Sequence, residues 1–92
     1  MVTKEVVYLS ELENENSLDS GRVVALLIQK ASTYVSDVRL EVDGRRANAK
    51  SLLGVMSLAL DRGSNVTISA SGADEDEALE DLAEYLTNPS AE

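Results

Sequence analysis

The chain has 92 residues, of which 43 % are hydrophobic and 3 % aromatic, and its formal net charge is −9. That length allows one small two-layer domain and leaves no room for a deep substrate cavity. With no Cys and no His, disulfides, thiolate zinc sites, histidine general bases and phosphohistidine chemistry are excluded.

The acidic balance argues against direct nucleic-acid binding and against anionic lipid. No apolar run approaches the ~20 residues of a membrane span. The opening "MVTKEVVYLSELENENS" lacks the order of a signal peptide. A soluble, cytoplasmic protein without membrane contact is expected. Trp and Phe are absent, so the core must be built from Val, Leu, Ile and Ala.

In chain order, "EVVYLSEL" (5–12) is β-branched and aromatic and predicts a strand. Its inward face is open, because Val6, Val7, Tyr8 and Leu9 are all apolar. The acidic "ENENSLDS" reads as a loop. A helix is expected from near Gly21, with Val24, Leu27, Ile28 and Ala31 on its stripe and Val23 and Leu26 widening it. Ser20 is placed to cap that helix.

"VRLEV" alternates, with Val38, Leu40 and Val42 facing one way. Asp43-Gly44 predicts a tight type I′ hairpin turn into a strand through Arg46–Ala49. "KSLLGVMSLAL" is short and apolar, with Ser51 as its cap. "VTISA" alternates again, with Val66, Ile68 and Ala70 inward; the glycosylation triplet at Asn65 falls in this strand-like run and reads as chance. The last helix buries Leu79, Leu82, Ala83 and Leu86, and Asp74 with Glu77 has the spacing of a capping box.

The order β-α-β-β-α-β-α predicts an α+β fold. It is an open-faced sandwich: a four-stranded, mostly antiparallel sheet with three helices on one face. One domain over residues 3–87 is expected, with 88–92 a frayed tail beyond the helix-stopping Pro89.

Several residues are candidates for chemistry. The acids of 74–77 lack the ligand spacing of a calcium loop, and dipole complementation explains them; no metal or cofactor is expected. Arg45, Arg46 and Lys50 either solubilise an edge strand or meet an acidic or phosphorylated partner. Ser20 has no histidine base, so serine catalysis and enzymatic function are not expected. Ser51 opens a helix that is apolar nearly all round. Some of Leu52, Leu53 and Met56 must then be exposed, as at a protein interface. Ser51 itself reads as a cap, and a cap is also a favourable place for a phosphate.

The segment "NAKSLLGVMSLALDRGSNVTISASGADEDEALEDL" closely resembles the second half of the HPr phosphocarrier family of the bacterial sugar phosphotransferase system (PTS). "KSLLGVMSL" is similar to that family's regulatory-serine signature, and the likeness covers nearly the whole chain from Ser20 onward. It implies the HPr-like open-faced sandwich. In the first half, "LDSGRV" stands where the family's histidine loop runs. Ser20 occupies the histidine position, Arg22 matches the family arginine, and the neighbouring glycine and proline of the family are missing.

The resemblance therefore implies a protein of the histidine-lacking, Crh-like catabolite-repression type. Ser51 would be phosphorylated by HPr kinase/phosphorylase. Leu52, Leu53 and Met56 would dock partners, and Arg22 would contact phosphate or partner. A LacI-type catabolite control transcription factor and other PTS proteins are the implied partners. The alternative is a degenerate docking protein that binds PTS partners without being phosphorylated. A ligand-binding βαββαβ module or an acylphosphatase-like enzyme shares the early element order. The third helix, the short second helix and the missing glycine-rich anion loop count against both.

Overall fold

The computed structural model describes residues 1–8, 17–58 and 63–87, the side chains of 17–23 excepted. Its elements are β1 (Val2–Val7), α1 (Ser17–Ser32), β2 (Asp37–Val42), β3 (Arg45–Asn48), α2 (Leu52–Ser57), β4 (Asn65–Ser71) and α3 (Glu75–Thr87). The sheet order is β1-β4-β2-β3, and every pairing is antiparallel. The α+β sandwich expected from the element order is the observed fold.

Alternation decides which face is covered. Val38, Leu40 and Val42 of β2, Ala47 of β3, and Val66, Ile68 and Ala70 of β4 are all buried. In β1 the inward residues are Val6, followed by Tyr8 just past the strand, while Val7 is exposed. This settles the face for Val6, Val7 and Tyr8, while Leu9 lies outside the described residues. The other face of the sheet carries Thr3, Glu5, Arg39, Glu41 and Arg46, all solvent-accessible. The β2–β3 turn has Asp43 at φ 51° and Gly44 at φ 80°, the paired positive φ that a type I′ turn requires.

Over the covered face, α1 contributes Leu27 and Ala31, α2 contributes Val55, and α3 contributes Leu79, Leu82, Ala83 and Leu86. Ala78 and Tyr85 are buried as well, so the apolar stripe of α3 is wider than the sequence pattern suggests.

Two local expectations are corrected. First, α1 begins at Ser17, so Ser20 lies inside the first turn and does not cap the helix near Gly21. A single glycine costs a helix only about 1 kcal/mol, and the packing of Leu27 and Ala31 in this 16-residue helix outweighs it. Second, Asp74 and Glu77 do not form a capping box. The Asp74 carboxylate turns away from its own helix and accepts from Val35 N and Ser36 N, both at 3.0 Å, and from Ser36 Oγ. Glu75 takes the local role: its Oε1 accepts from Gly72 N at 3.1 Å.

The Asp74 contact ties the α1–β2 turn to the β4–α3 turn. Ser36 is the one buried polar residue among those described, at 1 % exposure. Gly72 makes the approach possible. It has φ +151°, and a Cβ there would come within 2.7 Å of Ser36 Cα. Beside this knot, Tyr34 Oη donates to Asp81 Oδ2 at 2.6 Å, and Lys30 Nζ lies 3.5 Å from Asp81 Oδ1. The Asp81 bond pushes the Tyr34 phenol up to about 12. α1 and α3 are thereby joined at both a turn and a helix face.

The Ser36 hydroxyl, followed by the two backbone amides, holds the Asp74 carboxyl below its ordinary range. A depressed carboxyl contributes stability in full above its unfolded value of about 3.9 and loses it as pH falls through the folded value. Asp74→Asn is therefore expected to be less stable than the parent at pH 7, with the gap closing below about pH 4. Urea titrations at a series of pH values read this directly. A gap that persists undiminished in acid would contradict the assignment.

Candidate functional site at the start of α2

The turn from β3 into α2 is held at each residue. Ala49 N donates to Val38 O, Lys50 N to Asn48 Oδ1, and Ser51 N to Asn48 O, at 2.8, 2.9 and 2.9 Å. Ser51 then takes the extended conformation of an N-cap, φ −104° and ψ 116°, and its Oγ accepts from Gly54 N at 3.1 Å. Its carbonyl accepts from Val55 N at 2.9 Å. The capping role read from the sequence is the observed one.

Gly54 explains the small residue at this point. A Cβ there would lie 3.2 Å from Ser51 Oγ and 3.3 Å from Ala47 Cβ. The glycine lets α2 sit closely on β3 and leaves space around the Ser51 hydroxyl, which is half-buried.

α2 has only six residues, and it turns Val55 into the core with Leu58 following at its C-terminus. Its remaining apolar side chains have no inner surface to cover. Leu52, Leu53 and Met56 are 52 %, 80 % and 56 % exposed, as the all-round apolar pattern requires. They give the helix that Ser51 caps an exposed apolar surface.

The three basic residues nearby do not converge. Arg46 Nε pairs with Glu41 Oε1 across the β2–β3 ladder at 3.2 Å, and Arg45 Nη1 reaches Ser57 O at 3.5 Å. Lys50 Nζ donates to Tyr34 O at 2.8 Å. Nothing in the sequence pattern signals that last bond, because the partner lies 16 residues upstream. Ser20 and Arg22 sit in the first turns of α1, with side chains outside the described residues; α1 packs against α2. Among the described residues no group of three or more His, Cys, Asp or Glu could hold a metal ion, and no described helix is long and apolar enough to cross a membrane.

Comparison with known proteins gives a consistent result. The family model for the PTS HPr component phosphorylation site matches residues 11–88. The chain is 54 % identical over 66 residues to the HPr-like protein Crh of Bacillus subtilis, which covers 72 % of this chain and 78 % of that protein. It is 40 % identical over 86 residues to the HPr-like protein Crh of Halalkalibacterium halodurans, covering 94 % and 96 % of the two chains. The crystal structure of HPr-C-His from Thermoanaerobacter tengcongensis superposes with a TM-score of 0.85 at 32 % identity, covering 100 % of this chain and 98 % of that one.

The cap geometry makes a simple prediction. Ser51→Ala, which leaves Gly54 N without its acceptor, is expected to cost about 1 kcal/mol. Ser51→Asp, which keeps an acceptor, should stay close to the parent. Urea unfolding of the three proteins checks the order, and equal midpoints for parent and Ser51→Ala would contradict it.

Proposed function

The chain belongs to the HPr family of the phosphotransferase system, and from that premise we propose a regulatory protein phosphorylated on Ser51 by HPr kinase/phosphorylase and acting through protein–protein contacts in carbon catabolite regulation. The family's members are phosphocarrier and regulatory proteins, not enzymes. One observation carries the reading: a half-buried cap serine beside three exposed apolar side chains, in a chain with no histidine.

The chemistry separates this role from phosphoryl relay. A phosphoramidate on histidine is labile and passes its phosphoryl group onward readily. A serine ester is inert by comparison and suits a signal that persists until a phosphorylase removes it. Ser20, at the family's histidine position, offers no equivalent carrier. In phosphorylation the Ser51 oxygen forms the new bond to phosphorus, the nucleoside diphosphate leaves, and the hydroxyl proton passes to a base of the kinase. The added charge is about −1.5 to −2. The first amides of α2 have no intrahelical acceptor and suit the ester oxygens.

Partner contacts follow from the same surface. Leu52, Leu53 and Met56 dock the kinase and a LacI-type catabolite control transcription factor, and Arg22 contributes to phosphate or partner contact. The partner supplies arginine or lysine to the phosphate, and charge complementarity at the rim sets association rates. Other PTS proteins of the cytoplasm could use the same apolar face. DNA would be met by the transcription factor and not by this chain, whose net charge is −9.

Incubation with purified kinase and ATP is expected to add one phosphate to the parent and none to Ser51→Ala, read by intact mass. An unmodified parent would overturn the proposal. The apolar face has its own reading, docking without phosphorylation, and a second measurement separates the two. Partner binding that survives Ser51→Ala and is lost in Met56→Asp would favour docking alone; binding that needs both the phosphate and Met56 is what the proposal expects.

A further inference from the structure

We propose that Lys50 is a latch which phosphorylation of Ser51 releases from the end of α1. This rests on the reading of Ser51 as a phosphate acceptor. In the unmodified chain the Lys50 ammonium is bonded to a neutral acceptor, the Tyr34 carbonyl, at 2.8 Å. Among the described residues it faces no carboxylate within ion-pair distance. The neighbouring cations are engaged elsewhere, Arg46 on Glu41 and Arg45 at Ser57 O.

Lys50 immediately precedes Ser51, so a phosphate on Ser51 would place a nearly dianionic group beside a cation on a flexible four-carbon stem. The bond to Tyr34 O has one ionised partner, whereas a bond to the phosphate joins opposite charges and adds their Coulomb attraction to the hydrogen bond. The ammonium therefore moves to the phosphate and leaves Tyr34 O.

The position of Tyr34 limits what this change reaches. Its hydroxyl is held by Asp81, and the next two amides, Val35 N and Ser36 N, are held by Asp74. Those bonds involve carboxylates remote from α2 in sequence and do not depend on Lys50. Release thus frees the β3–α2 turn from the end of α1 while the α1–α3 joint stays closed. The phosphate acquires an internal counter-charge, and the docking face gains freedom to adjust to a partner.

The test uses the full chain with phosphoserine incorporated at position 51 during translation, so that it does not depend on any kinase. The Tyr34 carbonyl 13C shift and the Lys50 side-chain 15Nζ signal are recorded with Ser and phosphoserine at position 51, in the parent, in Lys50→Gln and in Lys50→Arg. In the parent, phosphorylation should move the Tyr34 carbonyl to the position it has in unphosphorylated Lys50→Gln and shift the Lys50 ammonium signal. In Lys50→Gln, phosphorylation should leave the Tyr34 carbonyl where it is; Lys50→Arg, which keeps the charge, should restore the response. A Tyr34 carbonyl unchanged by phosphorylation in the parent would overturn the proposal, whatever the ammonium does. Failure of purified kinase to modify Ser51 would overturn the proposed function but leave this measurement valid as a test of the latch.

Discussion

Asp74 holds two turns together that are 38 residues apart in sequence, accepting from Val35 N, Ser36 N and the Ser36 hydroxyl. The bonds to Ser36 satisfy polar groups of a residue that the close approach of Gly72 helps to bury. They also fix the end of α1. With residues 35 and 36 clamped, Tyr34 presents its hydroxyl to Asp81 on α3 and its carbonyl to Lys50 before α2. A chain of hydrogen bonds thus links the Asp74 carboxylate, through the α1–β2 turn, to the Ser51 turn, which its own bonds to Asn48 and Val38 hold locally.

A chain this small has little interior to spare, and its function is built on the surface. α2 is too short to hide its apolar residues: it gives Val55 to the core and leaves Leu52, Leu53 and Met56 in solvent. That exposure costs solubility, which the net charge of −9 offsets by repulsion between copies. Gly54 sits where the two requirements meet, allowing the helix to pack on Ala47 while the Ser51 hydroxyl keeps its space.

Much of this was legible in the sequence where the determinants are local. Asp43-Gly44 specified the hairpin, the alternation in "VTISA" specified the buried face of β4, and Ser51 before an apolar run specified a cap. The long-range determinants were not legible. Asp74 followed by Glu77 has the form of a capping box, yet the carboxylate serves a distant turn and Glu75 serves the local one. Gly21 looks like a boundary in the sequence, whereas tertiary packing further along α1 carries the helix through it. Lys50 read as part of a basic patch, and only the folded chain shows its ammonium on a carbonyl contributed by α1's end.

The central proposal is that phosphoryl chemistry is lost at the family's histidine position, occupied by Ser20, and kept at the serine that caps α2. The most direct measurement supplies phosphate by two routes to the same protein: phosphorylated Enzyme I, the phosphotransferase-system protein that charges the histidine of phosphocarriers in this family, and ATP with HPr kinase/phosphorylase. The product is then mapped by fragment mass. The account predicts no phosphate from the first route and one, at Ser51, from the second. Phosphate arriving from Enzyme I at Ser20, or a chain untouched by the kinase, would contradict it.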